Sequence, residues 1–391
     1  MPSAAFRRGW RREVSTLVNV LLVAPFERGA AFGGSQRATA LAERLERRGA
    51  SVDWLTVEPA AMSTSRRLRA LITLEPGFVA YRSRRAALKK AAWDVAVAAH
   101  SYMAPHLSRV EPRAARVVDF HNLEWRHILD VSAYAPPLKR AHLRLESKLM
   151  RRFERGLLGS GALCLFTSQA ELEWAEATGA CRRALAVPNT LPREAACEAE
   201  RIWAARAIRR GRSPRPASRT LVYIGKLSYP PNLLSLQRFL DAVWPRILAA
   251  DRSARLSVIG ECAERDRRGI AACPGVDAHG LVEDPTDALV EADAALLPLS
   301  ASAGTSLRIL LYALAGVPVV GSPSAFRGVP DEMGLAAKSA TEWVELLSEE
   351  GRLERCVQPA RAAALAIQSA DAPWQELYDW LERGTRGERF R

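Results

Sequence analysis

The sequence predicts an α/β protein built from two doubly wound units. Three observations carry that prediction. The chain has 391 residues, more than one ordinary core supports and enough for two domains. It opens with a strand, a glycine-containing loop, a helix and a second strand, the start of a parallel sheet with crossover helices. The same alternation begins again after a polar, arginine-rich stretch. The composition, 48% apolar and 25% charged, is that of a folded globular chain.

The elements follow in order. Residues 16–23 are an apolar, β-branched run stopped at Pro25, as expected of a strand buried on both faces. A loop with Gly29, Gly33 and Gly34 follows, then a helix over 35–48 with Ala38, Leu41, Ala42 and Leu45 on one stripe. Residues 52–57, 94–99, 116–120, 162–167 and 184–187 read as further strands separated by helical stretches. Residues 193–218 turn polar and arginine-rich and read as a loop. The expected division is a first domain over 1–195, a linker over 196–218 and a second domain over 219–369, with 370–391 returning to the first. In the second domain, strands are expected at 221–224, 255–259, 276–279, 294–297 and 318–320, and a helix at 233–249. Most of these strands end in Gly or Pro, at the edge where open α/β sheets bind ligands. Residues 373–383 form a last amphipathic helix with Trp374, Leu377, Tyr378 and Leu381 on one side.

Composition narrows the function classes. Cys164, Cys181, Cys197, Cys262, Cys273 and Cys356 are scattered, with no C-x-x-C pair and no zinc-like spacing with the six histidines. They read as thiols of a reducing cytoplasm. The best apolar run, 17–26, is broken by Asn19 and falls short of the roughly 20 residues of a membrane span. The arginines at 7, 8, 11 and 12 precede no cleavage pattern. The expected location is cytoplasmic, with attachment at the inner membrane face as an option. The net charge is +13, concentrated at 66–90 and at 139–155. Such patches are either solvated helix faces or docking sites for anionic partners, an acidic membrane surface among them. No nucleic-acid motif accompanies them.

Four segments carry a resemblance. They are Val-Ala-Pro-Phe-Glu-Arg-Gly-Ala-Ala-Phe-Gly-Gly-Ser-Gln-Arg from residue 23, Asp119-Phe-His-Asn-Leu-Glu-Trp125, Tyr223-Ile-Gly-Lys-Leu-Ser-Tyr-Pro-Pro-Asn232, and Ala303-Gly-Thr-Ser-Leu-Arg-Ile-Leu-Leu-Tyr-Ala-Leu-Ala-Gly-Val-Pro-Val-Val320. Together they resemble the retaining, nucleotide-sugar-dependent glycosyltransferases of the GT-B type, especially the bacterial polysaccharide group similar to glycosyltransferase family 4. The resemblance implies two Rossmann-like domains facing across a cleft. The sugar nucleotide would sit on the second domain and a glycan, lipid-linked or small-molecule acceptor on the first. It also implies a last helix crossing back to the first domain, no cofactor and no metal. The sequence has no D-x-D motif, which fits that last expectation.

The chemistry to be served is cleavage of a bond between a sugar carbon and a diphosphate, where fixed cations and helix N-termini stabilise the departing charge. Arg308 aligns with the family's donor-motif lysine, and Lys226 follows the Gly225 strand end where many relatives are basic. These two are expected on the diphosphate, although each also reads as surface charge. Ala303, Gly304, Thr305, Ser306 and Leu307 open the donor helix, with Thr305 serving equally as its N-cap. Gly225, Gly260, Glu261, Gly280, Leu281 and Val282 complete the expected donor side. On the first domain, Gly33 and Gly34 permit close approach to the diphosphate or acceptor. His100 stands where relatives carry a histidine that touches the transferred sugar, and Asp119, His121 and Asn122 follow the next strand.

One departure stands out. Leu311 occupies the position where relatives carry a glutamate for the ribose hydroxyls, and Ala303 stands at the earlier acidic position. Loss of such charged hydrogen bonds weakens binding by about 1.5–3 kcal/mol. Three readings therefore remain open: an active glycosyltransferase, a silent glycan-binding or partner subunit on the same fold, and a sugar-nucleotide epimerase. A redox enzyme is disfavoured, because no G-x-G-x-x-G follows the first strand.

Overall fold

The computed structural model describes residues 18–30, 33–57, 93–110, 114–212, 219–299, 305–349 and 351–385. The candidate donor residues Ala303 and Gly304, the N-terminal arginines and the basic cluster at 66–90 lie outside them.

The first half runs β1 (Asn19–Ala24), α1 (Gly33–Arg47), β2 (Ser51–Thr56), β3 (Val95–Ala99), α2 (Ala104–Val110), β4 (Ala115–Phe120), α3 (Glu124–Ser132), α4 (Pro137–Leu158), β5 (Leu163–Phe166), α5 (Gln169–Ala177) and β6 (Ala184–Ala186). Its strands form one sheet in the order β2-β1-β3-β4-β5-β6, with parallel pairing throughout. Helix α6 (Arg193–Arg212) leads to β7 (Thr220–Ile224), α7 (Pro230–Ala242), α8 (Trp244–Ala250), β8 (Arg255–Ile259), α9 (Glu264–Ala271), β9 (Val276–Gly280), α10 (Thr286–Glu291), β10 (Ala294–Leu297), α11 (Leu307–Leu314), β11 (Val319–Gly321) and β12 (Leu335–Ala336). The second sheet, also parallel, has the order β12-β11-β10-β7-β8-β9. Helices α12 (Ala340–Ser348), α13 (Arg352–Ser369) and α14 (Ala372–Thr385) close the chain.

Both sheets are covered on both faces, which explains their unbroken apolar strands. In β1, Val20 and Leu22 join one buried cluster while Leu21 and Val23 join the opposite one. In β7, Val222 packs to one side and Leu221 and Tyr223 to the other. The strand orders reverse between β1 and β3 and between β7 and β10. A doubly wound sheet binds ligands at such a switch point, beyond the strand C-termini. The segments after β1, β3, β7 and β10 therefore define where a site can form.

The last helix returns to the first domain. Trp374, Leu377, Tyr378, Trp380 and Leu381 join the buried cluster of β1, β3 and α1. The Tyr378 hydroxyl donates to the Arg44 carbonyl at 3.0 Å, and the Arg44 guanidinium lies 4.6 Å over the Trp374 ring.

Three local expectations are corrected. Residues 193–212 are not a loop but helix α6, with Ala199, Ile202 and Arg206 buried. Arg206 donates to the carbonyls of Gly316 at 3.0 Å and Ala292 at 2.7 Å. A buried arginine that satisfies carbonyl ends breaks the apolar pattern from which a helix face is read. The helix expected over 233–249 is two helices that meet at Val243. Pro245 lies in the first turn of α8 and supplies no N–H to a continuing ladder. Gly33 and Gly34 belong to the first turn of α1 rather than to the preceding loop.

Candidate active site

The second-domain half is a ledge of three strand ends. The Gly225 amide donates to the Ile259 carbonyl at 2.9 Å, and the Gly260 amide to the Gly280 carbonyl at 2.7 Å. Gly260 has φ +150°, and a Cβ there would lie 1.8 Å from the Gly225 oxygen. Only glycine fits. Arg308, in the first turn of α11, reaches this ledge and donates from Nη1 to the Ile224 carbonyl at 2.9 Å. A Cβ on Gly225 would stand 2.7 Å from that nitrogen, so the bare glycine makes room for the arginine. The guanidinium lies 5.9 Å from the centre of the buried Tyr223 ring. Arg308 is half-buried, and among the described residues it faces no carboxylate within ion-pair distance.

The other donor-side candidates are placed differently. Lys226 Nζ stands 3.4 Å from Glu261 Oε2, both side chains about half exposed. The Glu261 carbonyl holds the turn after Gly225 by accepting from the Leu227 and Ser228 amides, each at 2.8 Å. Leu281 is exposed beyond Gly280, and Val282 packs against the second-domain core. The N-cap of α11 is Ser306, without a side-chain cap bond, which corrects the assignment of that place to Thr305. Thr305 Oγ1 is buried with no hydrogen-bond partner among the described residues. Leu311 is half-buried and packs against the second-domain core.

The first-domain half is a charged cluster. Asp119, fully buried at the end of β4, takes Arg37 Nη2 at 2.6 Å and Arg37 Nε at 3.0 Å. Its second oxygen is 3.1 Å from His121 Nε2. Burial pushes the Asp119 carboxyl up, but Arg37 and His121 outweigh it and hold the group well below the usual carboxylate range. Burial, aided by His100, pushes His121 down to about 4, so it is neutral at physiological pH. The His100 and His121 rings are 4.0 Å apart. Gly34 sits against both: a Cβ there would be 3.1 Å from His100 Nε2 and 3.5 Å from His121 Nδ1. His100 has φ +84°, the one non-glycine with positive φ among the described residues. Such strain clusters at functional sites. His100 Nδ1 pairs with Glu124 Oε1 at 3.0 Å. Asn122 is half-buried at the same edge.

The two halves meet. Gly33 opens α1 and Leu307 opens α11, and a Cβ on Gly33 would lie 3.9 Å from the Leu307 side chain. Two helix N-termini thus converge, each with free amides and a positive dipole end. Asn189 links them: its Oδ1 accepts from Arg37 Nη1 at 2.9 Å and its Nδ2 donates to the Thr305 carbonyl at 3.0 Å. Farther along the seam, the Tyr229 hydroxyl is 2.6 Å from His127 Nε2, the rings stacked at 14°. The Arg238 guanidinium lies 4.6 Å over the Tyr134 ring.

Expected residues His100, His121, Asp119, Gly33, Gly34, Gly225, Gly260, Thr305, Leu307 and Arg308 therefore line one seam. Arg37, Glu124, Glu154 and Asn189 were not foreseen. Arg37 had a readable signal, a charge on the apolar stripe of α1. Among the described residues, no group of three or more His, Cys, Asp or Glu is arranged to hold a metal ion. No described helix is long and apolar enough to cross a membrane.

Comparison with known proteins agrees with this architecture. Residues 218–349 match the family model Glycosyl transferases group 1. No curated protein sequence matches the chain. Among solved structures, sucrose-phosphate synthase from Thermosynechococcus elongatus aligns over 93% of this chain and 99% of its own, with TM-score 0.64 and 16% identity. The α,α-trehalose 6-phosphate synthase of Burkholderia multivorans aligns over 95% and 99%, with TM-score 0.59 and 12% identity. Anabaena HepE, solved in complex with UDP-glucose, aligns over 92% and 99%, with TM-score 0.55 and 15% identity. Residues 218–349 are thus a group 1 glycosyltransferase domain, within a chain that has the two-domain GT-B fold.

Proposed function

We propose that this chain transfers a sugar from a nucleoside-diphosphate sugar to a hydroxyl of a glycan, lipid-linked sugar or small natural product, without a metal and with retention of anomeric configuration. The observation that carries the reading is Arg308. It is a half-buried cation that donates to the Ile224 carbonyl and lies against the Tyr223 side chain, both uncharged. It stands at the β7–β10 switch point, beside the N-terminus of its own helix. A diphosphate seated there meets a guanidinium and helix-end amides together, which stabilises charge on the leaving group. Lys226 supplies a second cation once the anion competes with its exposed Glu261 partner. A uridine diphosphate sugar is the first donor to try, since Anabaena HepE was solved with UDP-glucose.

The test is thermal-shift screening against nucleoside diphosphates and their sugars. A ligand held at about 100 times its Kd stabilises the folded state by about 2.7 kcal/mol. One nucleotide is expected to raise Tm, and Arg308→Ala to abolish the shift. No shift with any nucleotide favours the silent-partner reading. One observation supports that alternative: Leu311 packs against the apolar core and offers the donor no hydrogen bond.

An acidic membrane surface is the second partner we propose. On α4, Lys139, Arg144, Lys148, Arg151, Arg152 and Arg155 are exposed, whereas Glu146 and Glu154 are buried. Leu138 is 90% exposed and Leu145 is 48% exposed on the same helix. Each basic residue near an anionic surface contributes about 1 kcal/mol. Flotation with anionic but not zwitterionic vesicles, lost at high salt, is the expected result.

A further inference from the structure

The carboxylates around His100 form a chain of contacts that the transfer chemistry above does not use. Glu124 Oε1 lies 3.0 Å from His100 Nδ1. Behind it, Glu154 of α4 is fully buried. Its Oε1 accepts from Ser101 Oγ at 2.7 Å and from the Glu124 amide at 3.1 Å, and its Oε2 from the Trp125 amide at 3.4 Å. One side chain thus ties the residue after His100 to the first amides of α3. Those amides belong to the helix end that carries Glu124. The strained backbone of His100 is held between these two anchors.

We propose that Glu124 and Glu154 are positioning residues for His100. Glu124 accepts a hydrogen bond from Nδ1–H and fixes the tautomer, so that Nε2 presents a lone pair toward the N-terminus of α1. Glu154 fixes Glu124 and the turn at Ser101. The chemical consequence is selective. An imidazole in this tautomer accepts a hydrogen bond at Nε2, so it takes a hydroxyl of the sugar and not a phosphate oxygen. Gly34 leaves the space, because its missing Cβ would stand 3.1 Å from Nε2. Among the described residues, Nε2 makes no hydrogen bond. The neighbouring His121 faces Asp119 through Nε2 at 3.1 Å, and its Nδ1 borders the same space beside Gly34. This inference rests on the transferase reading only for the identity of the hydroxyl; the tautomer itself does not depend on it.

Long-range proton–nitrogen correlation spectra of the full chain, labelled with 15N-histidine, test the proposal without any substrate. His100→Asn identifies the His100 signals by their loss. The wild type is expected to show the proton on Nδ1. Glu124→Ala is expected to lose that signature, and Glu154→Ala to lose or broaden it. Glu154→Gln is expected to retain it, since the amide oxygen still accepts from Ser101 and Glu124. A wild-type ring protonated at Nε2 would overturn the proposal. So would a tautomer unmoved in Glu124→Ala. If Glu124→Ala does not fold, the wild-type spectrum alone decides. Failure of the nucleotide screen with the expected tautomer present would sink the transferase reading and leave this one standing.

Discussion

Removing the Asp119 carboxylate is the sharpest stability test of the first-domain cluster. In Asp119→Ala, Arg37 loses the contacts at 2.6 and 3.0 Å and keeps the Val187 carbonyl at 3.1 Å and Asn189 Oδ1 at 2.9 Å. Arg37 is 6% exposed and Asp119 is 0% exposed. A guanidinium stranded in such a place costs about 3–5 kcal/mol, a large part of the roughly 5–15 kcal/mol that holds a domain folded. With a urea m-value of about 2–3 kcal/mol/M, the midpoint falls by roughly 1–2 M. The assay is urea denaturation at pH 7, followed by tryptophan fluorescence, for the wild type, Asp119→Ala, Arg37→Met and the double variant Arg37→Met/Asp119→Leu. The double variant is expected to be more stable than Asp119→Ala, because an apolar pair removes both charges from the interior. A single-variant loss under 1 kcal/mol, or a double variant as unstable as the sum of the singles, would refute the reasoning.

The remaining predictions concern protonation, backbone and donor. Burial and the nearby Glu124 charge raise Glu154 to about 8 from an ordinary 4.5. The folded state therefore holds a proton that the unfolded state has released, and stability falls as pH rises from 4.5 through 8. The Tm advantage of Glu154→Gln over wild type is expected to grow between pH 5 and 8; a constant difference would show that Glu154 does not titrate there. His121 has the opposite sign. Its folded value near 4, against 6.5, gives stability that is full above 6.5 and lost as pH falls toward 4. His121→Gln should flatten that acid limb in a series of thermal melts. Gly260→Ala places a Cβ 1.8 Å from the Gly225 oxygen at φ +150°. It is expected to yield misfolded or aggregated chain in size-exclusion chromatography; a folded, nucleotide-binding product would show that the ledge yields. Leu311→Glu restores an acceptor worth about 1.5–3 kcal/mol and is expected to tighten nucleotide binding about tenfold or more by calorimetry. Unchanged affinity would place Leu311 away from the ribose.

Strands and strand-end chemistry were legible in the sequence for a physical reason. A parallel strand buried on both faces must be apolar at every position, so β1, β3 and β10 advertise themselves, and glycines mark the ends of β7, β8 and β9, where Gly260 lets backbone approach backbone and Gly225 leaves room for Arg308. Arg308 and His100 were named from the resemblance to the family's motifs, and the structure places them beside the ends of β7 and β3. The supporting residues were hidden because their partners are distant in sequence. Arg37 meets Asp119 across 82 positions and Asn189 across 152. Glu154 meets Ser101 across 53. No local period encodes those contacts, and a glutamate on an arginine-rich helix reads as solvated charge. The same limit hid α6, whose buried Arg206 caps carbonyl ends that lie more than 80 residues away.

Charge accounting separates Arg37 from Arg308. Arg37 follows the first turn of α1 and Arg308 stands in the first turn of α11, helices whose N-termini converge. Arg37 is fully buried and meets a carboxylate, a carbonyl and an amide oxygen. Its charge is neutralised within the protein, and a bound anion would have to displace Asp119 to reach it. That makes Arg37 a brace holding β4, α1 and Asn189 in register with Thr305. Arg308 is half-buried and rests on a carbonyl and an aromatic face, neither of which cancels its charge. Partial burial of a cation without a counter-ion costs free energy, and an arriving diphosphate offsets that cost. If this distinction is right, Arg37→Met should lower stability without abolishing nucleotide binding, whereas Arg308→Ala should do the reverse. Loss of nucleotide binding in both variants to the same degree would mean that the brace and the anion site are one unit.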